Sequence, residues 1–296
     1  MGLKLVIPGA AFTDPTLPIL RADPILTTGS LLLLDFGRDY TLAPGTPANG
    51  ATLGNIAWAE AIAAIGSGTE TSAKATFSHT LTGVPTQGIV ERSTKGGIHV
   101  ITSPTVMDAN GGAGRHGAIT IPAIVKNHIF ANVPARSIYF SVWGRLTRLS
   151  TQSTDALGHF ASTASPSSVY QSLLYKGAQW YPQSGGGFVG QRSSPASEAL
   201  GNFYAAAASN AWTGTKPATN ADVEGVFWFG ARNVYEGFQR NKANSGLFYR
   251  VYIEDLTLSG RSFATVDALD KAMWDVAFGG GGRFASDSYT NPTTIV

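Results

Sequence analysis

Residues 248–261, Phe248-Tyr-Arg-Val-Tyr-Ile-Glu-Asp-Leu-Thr-Leu-Ser-Gly-Arg261, decide how this chain is expected to fold. Apolar and aromatic side chains recur there at every second position, which is the period of a β-strand. The apolar phase then slips by one residue, and we expect a β-bulge near Glu254-Asp255 to produce the slip. The sequence therefore predicts a strand over residues 247–258, with Tyr249, Val251 and Ile253 on one face and Leu256 and Leu258 on the other parity.

The chain changes period immediately after this strand. Between Arg261 and Ala277 apolar residues recur at spacings of three and four, which indicates an amphipathic helix, and Thr265 is the expected N-cap. We expect this helix to seal one end or edge of the sheet structure. Its predicted apolar stripe consists of Val266, Leu269, Met273 and Val276, with Trp274 beside it.

Shorter strand-like segments precede this block. Residues 31–36 form a continuous apolar run, as expected of a strand covered on both faces. Two short helices are predicted between strands: Asn55 caps residues 56–65, and Pro122 stands in the first turn of residues 121–130. In total, about ten strands and a few short helices favour an all-β, two-sheet antiparallel sandwich of the jelly-roll type. The other predicted strands are residues 76–80, 89–92, 97–102, 136–146, 171–176, 187–191, 201–206 and 226–231.

Both ends of the chain lack the periodicity of a buried element. Residues 1–28 carry closely spaced prolines that prevent a helix or a central strand, and residues 279–296 begin with four glycines and continue as a polar tail. Ordering such segments costs about 1–2 kcal/mol per residue in backbone entropy. We therefore expect an N-terminal extended arm (1–28), a sandwich domain (29–278) and a Gly-rich C-terminal tail (279–296), assembled into a homo-oligomer in which neighbouring subunits order the arms.

The composition argues against several classes of function. Charged residues make up 14% of the chain and the formal net charge is +2, so the concentrated basic face of a nucleic-acid-binding protein is not expected. Arg136, Arg145 and Arg148 form the nearest cluster and are predicted to be a solvated strand end. There is no cysteine, no signal-peptide pattern and no apolar run of about 18 residues. We expect no nucleic acid, no membrane insertion, no cofactor and no metal.

Catalytic patterns are equally scarce. Retaining glycosidases on lectin-like sandwiches carry Glu-x-Asp-x-x-Glu on one strand, and no glutamate here begins that pattern. Glu254 and Asp255 are adjacent and are expected to face opposite sides, while Asp222 and Glu224 share a parity that is more typical of a solvated strand entrance. No Gly-x-Ser-x-Gly elbow is present, and the five histidines are scattered singly. The chain is therefore expected not to be an enzyme.

Loop aromatics give the strongest signal for a binding site. Sugar rings stack on exposed aromatic faces, and the candidates for such stacking are Trp180, Tyr181, Trp212 and Tyr235. The alternative is that these side chains pack under loops or against a neighbouring subunit.

Two resemblances bear on identity. Residues 248–261 resemble the closing strand and "LS" turn of concanavalin A-like (lectin or laminin-G type) sandwiches. The strings Val90-Glu-Arg-Ser-Thr-Lys-Gly-Gly-Ile-His-Val100, Phe140-Ser-Val-Trp-Gly-Arg-Leu-Thr-Arg148 and Gly279-Gly-Gly-Gly-Arg-Phe-Ala-Ser-Asp-Ser-Tyr-Thr-Asn-Pro-Thr-Thr294 resemble tailed-bacteriophage virion proteins that contain such a sandwich.

The phage resemblance implies a structural protein of the virion, in a tail fibre, tail tip, collar or head-decorating position. It would be made in the host cytoplasm without a signal peptide. Its partners would be further copies of itself, other virion proteins and, as a further ligand, a host surface polysaccharide. The alternative is a carbohydrate-binding module or a polysaccharide-degrading enzyme on a concanavalin A-like fold.

Overall fold

The computed structural model of the chain describes residues 23–81, 88–105, 115–151, 156–163, 169–174, 190–193, 199–212, 214–232 and 240–295. The strands in this part are β1 (Ser30–Asp35), β2 (Ala51–Leu53), β3 (Ala75–His79), β4 (Gly88–Arg92), β5 (Ile98–Thr102), β6 (His116–Thr120), β7 (Ile138–Arg148), β8 (Ala156–Ser162), β9 (Val169–Leu174), β10 (Gly190–Ser193), β11 (Gly201–Ser209), β12 (Val223–Gly230) and β13 (Ser245–Asp255). The helices are α1 (Trp58–Ile65), α2 (Ala123–Asn132), α3 (Leu256–Ser259) and α4 (Phe263–Phe278).

The described strands form two antiparallel sheets. Sheet A has the order β10-β11-β7-β13-β5-β4, with β1 also paired to β13, and sheet B has the order β2-β3-β6-β12-β8-β9. Their inner faces pack through aromatic contacts, such as Phe140 of β7 with Phe227 of β12 at 6.3 Å between ring centroids. Phe229 of β12 and Phe248 of β13 lie 4.5 Å apart in the same core. The predicted all-β, two-sheet sandwich with a few short helices is therefore confirmed.

Strands with a clear period of two lie close to their predicted bounds, and β1 is buried on both faces as expected. Strand β8 was not predicted. A Cβ atom at Gly158 in this strand would lie 2.5 Å from the ring of Phe227, so the position admits no side chain. Glycine and alanine therefore hide the period of a strand that is buried over residues 157–162.

The bulge in β13 lies at Tyr249, and its predicted position near Glu254-Asp255 is wrong. Gly144 of β7 pairs with Phe248 and Trp143 pairs with Arg250, which leaves Tyr249 as the extra residue. Tyr249 and Arg250 consequently both lie on the outer face of sheet A, whereas Val251 and Ile253 lie in the core between the sheets. Leu256 and Leu258 do not extend the strand, because they belong to α3, whose N-cap Asp255 accepts from the Leu258 N–H at 3.0 Å.

Helix α4 covers the outer face of sheet A and not, as predicted, an end or edge of the sandwich. Its N-cap is Ser262, whose Oγ accepts from the Thr265 N–H at 3.1 Å, so the predicted Thr265 cap is also wrong. Val276 is 76% exposed, although it was placed in the apolar stripe. The reason is that the buried face of the helix includes an aspartate. Its buried residues are Phe263, Val266, Asp270 and Ala277.

The free edge of β1 is closed by Asn55, together with bonds from the Ile56 N–H to the Leu33 carbonyl at 2.8 Å and from the Asp35 N–H to the Thr41 hydroxyl at 3.2 Å. The Oδ1 atom of Asn55 accepts from the N–H groups of Leu33 and Ala57 at 2.9 Å each, and its Nδ2 donates to the carbonyl of Leu31 at 3.0 Å. The amide thus occupies the place of a neighbouring strand. Closing an edge in this way removes a template for pairing with another chain. The predicted Asn55 cap of a helix over residues 56–65 is wrong, because α1 begins at Trp58 with Ala57 as its N-cap.

Replacing Asn55 by alanine is expected to lower the free energy of unfolding by about 2–3 kcal/mol, because two backbone N–H groups and one carbonyl lose their partner in a buried position. Urea denaturation followed by circular dichroism measures the change. Asn49→Ala is the matched control, because Asn49 is exposed and accepts from one backbone N–H, that of His79. A loss for Asn55→Ala as small as that of the control would contradict this account.

The terminal segments pack on the outer face of sheet A beside α4. Asp23 and Ile25 are buried there, and so are Phe284, Asp287 and Pro292. Residues 283–295 therefore contact the chain's own sheet A, and the expectation that neighbouring subunits order the terminal segments stays a prediction. Residues 1–22 lie outside the described residues. In the part of the chain that the structure describes, no helix combines the length and apolar character needed to cross a bilayer.

Candidate functional site

An ionic cluster, here called the terminal clamp, joins both terminal segments to sheet A. It consists of Asp23, Asp35, Arg38, Arg250 and Arg283. The Arg250 guanidinium donates to both carboxylate oxygens of Asp23 at 2.8 Å and lies 3.4 Å from Asp35. Arg283 of the C-terminal segment reaches the same Asp35 at 2.6 Å. The clamp thus connects parts of the chain that are more than 200 residues apart.

The electrostatics of the clamp favour its ionised form. Burial alone would raise the pKa of Asp23, but the bonds and charge of Arg250 outweigh it and lower that pKa. Burial correspondingly acts to lower the pKa of Arg250, and its aspartate partners raise it instead. Trp143 lies beneath the guanidinium at 4.7 Å from its ring centroid, which adds a cation–π contact. The bidentate geometry and full burial give the pair a fixed position.

A second buried carboxylate holds α4 on the sheet. Asp270 accepts hydrogen bonds from Ser141 at 2.5 Å, Trp143 at 2.9 Å and Tyr139 at 3.1 Å, all three on β7. Burial raises the pKa of Asp270, and the three donors partly oppose that rise. The helix is therefore attached to the sheet by hydrogen bonds to its buried face as well as by apolar packing.

Residues 283–295, here called the C-terminal strap, run across the β4–β5 side of sheet A. The Asp287 carboxylate accepts from the Thr94 hydroxyl at 3.0 Å, the Lys95 N–H at 2.7 Å and the Tyr249 hydroxyl at 2.7 Å. Glu91 accepts from both the N–H and the hydroxyl of Thr290 at 2.7 Å each. Two carboxylates, one on the strap and one on the sheet, therefore fix its position.

Beneath the strap lie a hydroxyl, an imidazole and a carboxylate in series. The Nε2 atom of His99 is 2.9 Å from the Thr147 hydroxyl, and its Nδ1 is 2.8 Å from Glu91. The same order of groups activates nucleophiles in hydrolases. Here Tyr289 lies edge-on to the imidazole at 4.9 Å, and Thr290 donates a hydrogen bond to each oxygen of Glu91. The strap therefore covers these three side chains. Burial lowers the pKa of His99, which keeps the ring neutral.

An open groove of about 610 Å³ lies on the outer face of sheet B, next to the start of α2. Three exposed threonine hydroxyls line it, from Thr76, Thr120 and Thr163, together with the half-buried carboxylate of Glu224. Lys126 also lines the groove, but its ammonium group donates to the carbonyls of Asn220 and Val223 at 3.2 and 2.9 Å. Lys74 lines it as well and pairs with Glu70 at 3.6 Å, so the groove offers hydroxyls, one carboxylate and one paired ammonium group to a ligand.

Glu224 is poorly suited to donate a proton. Burial acts to raise its pKa, but hydrogen bonding to His159 at 3.4 Å and the charge of Arg232 outweigh this and bring the pKa to about 2. Arg232 also donates directly to Glu224. The carboxylate is therefore ionised at neutral pH and acts as a hydrogen-bond acceptor.

The sequence-predicted sugar-binding residues do not gather in this groove. Trp212 packs against the core, with its ring 6.2 Å from Phe160 and 5.9 Å from Tyr170, as in the alternative of packing under loops. Trp180, Tyr181 and Tyr235 lie outside the described residues. In the predicted arginine cluster, Arg136 pairs with Asp255 at 3.0 Å, Arg145 lies over Tyr289, and Arg148 donates to Thr102. These arginines make separate structural contacts.

No protein-family model, curated protein or solved structure matches this chain. Among the described residues, no group of three histidine, cysteine, aspartate or glutamate side chains could hold a metal ion. The terminal clamp and the groove are therefore interpreted from their own geometry. The clamp was not predicted from the sequence. Arg250 lies within a predicted strand and Asp23 within the predicted N-terminal arm, and no sequence pattern indicated that the two side chains form an ion pair.

Acidification is expected to destabilise the fold through His116 of β6. Burial, aided by the charge of Arg232, lowers the pKa of His116 from 6.5 to about 4. Between these values the unfolded chain binds a proton that the folded chain does not, so stability falls as the pH falls from about 7 towards 4. The loss between about pH 8 and pH 5 should reach about 2 kcal/mol from this residue.

Urea denaturation of the parent and of His116→Gln at both pH values measures this contribution. The variant lacks the imidazole of residue 116 and retains all the other titratable side chains. The variant should lose less stability on acidification than the parent. Equal losses in the two proteins would remove the role assigned to His116.

Proposed function

We propose that this chain is a non-catalytic structural subunit of a tailed-bacteriophage particle, built on a concanavalin A-like sandwich. The observation that carries the proposal is the terminal clamp, in which the buried carboxylates Asp23 and Asp35 are used to fasten the chain ends. A protein that works in an extracellular particle must resist unfolding, and this chain has no cysteine with which to form disulfides. The clamp, Asp270 and the strap supply cross-connections of a different kind.

The resemblance of three strings to virion proteins supports the same proposal. Two of these strings, residues 90–100 and 279–294, form the two sides of the contact between the strap and sheet A. The third, residues 140–148, provides Trp143 under the clamp and Ser141 for Asp270. The resembling residues are thus those that attach the outer layer of the domain, which is where a scaffold protein is expected to be constrained.

Membership of a particle can be tested directly. Antibodies raised against the recombinant chain should label gradient-purified particles from a culture that carries its gene, in immunogold electron microscopy, at a fixed position on each particle. Mass spectrometry of the same particles should detect the chain. Labelling that is confined to the unassembled protein fraction would contradict the proposal.

The N-terminal arm is expected to serve assembly. Deletion of residues 1–22 should leave the urea-unfolding curve unchanged while reducing oligomer size in light scattering and incorporation into particles. Deletion of residues 1–28 is the contrasting variant, because it also removes Asp23 and leaves Arg250 without its bidentate partner; it should unfold at much lower urea concentrations. Normal assembly of the 1–22 deletion would refute the role of the arm.

Carbohydrate binding is the second candidate function, favoured by the groove on sheet B. Its volume and its hydroxyl-rich lining suit a sugar. Glycoside hydrolysis normally needs two carboxyl groups on opposite sides of the bond, and Glu224 is ionised and engaged with Arg232. The groove therefore favours binding over cleavage.

A glycan array probes this second candidate, with Thr120→Val as the variant and Thr28→Val as the matched control, because Thr28 is exposed and precedes β1 of sheet A. Binding that Thr120→Val weakens would support a sugar site, and release of oligosaccharides from a bound polysaccharide would instead support an enzyme. If no glycan on the array binds, the structural role remains as the one candidate function.

A further inference from the structure

We propose that the C-terminal strap is exchanged between two copies of this chain, so that residues 283–295 of one copy occupy the β4–β5 side of sheet A in the other. The inference rests on the proposed structural role, since it names a second copy as the partner and a surface through which the two assemble. The strap of a second copy has the same sequence as the chain's own strap, so it can make the same contacts with this face of sheet A.

The contacts of the strap are of a kind that transfers intact between copies. Asp287 and Thr290 use side chains and one backbone N–H to bind Thr94, Lys95, Tyr249 and Glu91. Thr94 and Ser288 add a backbone bond of 3.0 Å, from the Thr94 N–H to the Ser288 carbonyl. At its start the strap also places Phe284 against Tyr249 and Phe278 and pairs Arg283 with Asp35, and an exchanged strap brings the same residues to these positions.

The connection itself is a short glycine turn. The Gly282 N–H donates to the Gly279 carbonyl at 2.9 Å, and the Phe284 N–H donates back to Ala277 of α4 at 2.9 Å, so the chain reverses tightly. Gly281 has a φ of +78°, and a Cβ at Gly280 or Gly281 would meet no atom within 4 Å. If the turn opens, four extended residues span about 13 Å, which moves the strap away from its own sheet. Tight hinge loops favour such exchange.

The receiving face is open to a neighbour. Thr94 and Lys95 on the sheet side and Ser288 on the strap are all exposed, and β4 is the last strand on this side of sheet A among the described residues. In the exchanged pair, each clamp keeps Asp23, Asp35, Arg38 and Arg250 of its own chain and takes Arg283 from the strap of the second copy. Exchange keeps every contact of the strap and changes only the chain from which the strap comes. The local concentration of copies therefore determines how often the exchange occurs.

Because the chain has no cysteine, a single pair of introduced thiols reports the exchange without background from native residues. The hydroxyls of Thr94 and Ser288 are 3.1 Å apart. Full-length Thr94→Cys, carrying an affinity tag, is mixed with untagged full-length Ser288→Cys, incubated and oxidised. Exchange places the two thiols in contact and yields a disulfide-linked heterodimer on a non-reducing gel, with the 94–288 link identified by peptide mass spectrometry.

The matched control is Thr52→Cys mixed with Ser288→Cys, because Thr52 is equally exposed but lies on β2 of sheet B. We expect the heterodimer to be about tenfold more abundant than in the control, and more so at higher protein concentration. Equal yields in the two mixtures, with the Thr94→Cys/Ser288→Cys double variant closing only within single chains, would overturn the proposal.

A hinge variant tests the same inference without thiols. Proline cannot adopt the positive φ of Gly281, so Gly281→Pro opens the turn and should convert the chain to a dimer in light scattering while its circular dichroism spectrum stays that of the parent. A folded Gly281→Pro protein with the parent's mass would contradict strap exchange. Particle labelling does not depend on the strap, so failure here leaves the proposed function standing.

Discussion

Replacing Arg250 by methionine is expected to lower the free energy of unfolding by about 3–5 kcal/mol, the typical cost of leaving a buried charge without its partner. The substitution retains most of the side-chain volume but removes both bonds to Asp23, which then keeps the longer contacts to Arg38 at 3.4 Å and to the Ile25 N–H at 3.3 Å. Asp35 still has Arg283 at 2.6 Å. The loss should therefore arise mainly at Asp23.

Urea denaturation at neutral pH, followed by tryptophan fluorescence, measures this loss. Adding Asp23→Asn to the Arg250→Met variant should recover about 1–2 kcal/mol, because the uncompensated carboxylate is then neutral. Lys271→Met is the surface control: Lys271 and Asp275 form an exposed pair one helical turn apart, which should contribute less than about 0.5 kcal/mol. An Arg250→Met variant within about 1 kcal/mol of the parent would mean that the clamp does not stabilise the fold.

Replacing Asp270 by alanine is expected to cost about 3–4 kcal/mol, because donors on Ser141 and Trp143 lose their acceptor beneath α4. Tyr139 keeps a second partner, the Tyr204 hydroxyl at 2.6 Å, and should contribute little to the loss. The effect should be local as well as global. Hydrogen exchange in residues 263–278 should become faster than in β7, since the helix loses its attachment before the sheet does.

Asp267→Ala is the matched control for this helix. Asp267 lies one turn earlier, is half-buried, and accepts hydrogen bonds from the side chains of Tyr204, at 2.7 Å, and Ser193. Its loss should cost about 1 kcal/mol. If the two alanine variants are equally stable, or if exchange in α4 does not change in Asp270→Ala, the attachment described for Asp270 is incorrect.

The sandwich could be predicted because its strands show their burial in the sequence. Residues 31–36 are apolar throughout and are buried on both faces in β1, and the alternation in residues 136–146 corresponds to β7. The bulge at Tyr249 could not be placed, because aromatic and aliphatic residues occupy both faces of β13 and the alternation looks unbroken at that point. The position follows only from the pairing with Trp143 and Gly144.

The position of α4 and of the terminal segments on the outer face of sheet A was harder to predict, because polar residues attach them to the sheet. A carboxylate in a helix usually faces solvent, so Asp270 gave no sign of its burial, and the expected stripe instead included the exposed Val276. The partners Asp23 and Arg250 are separated by 227 positions, and no local pattern links them. The threonine groove likewise depends on register, since Thr76 and Thr120 become neighbours only when β3 and β6 pair.

The place of β13 has a consequence for the order in which the molecule can be built. This strand pairs with β1, β5 and β7, so it joins most of sheet A, yet it follows all the other described strands in the chain. Until residues 245–255 have left the ribosome, β1 has no partner in the sheet and Asp23 has no arginine to bind. Sheet A therefore cannot close before residues 245–255 are synthesised, and the strands that are unpaired until then expose edges that favour aggregation.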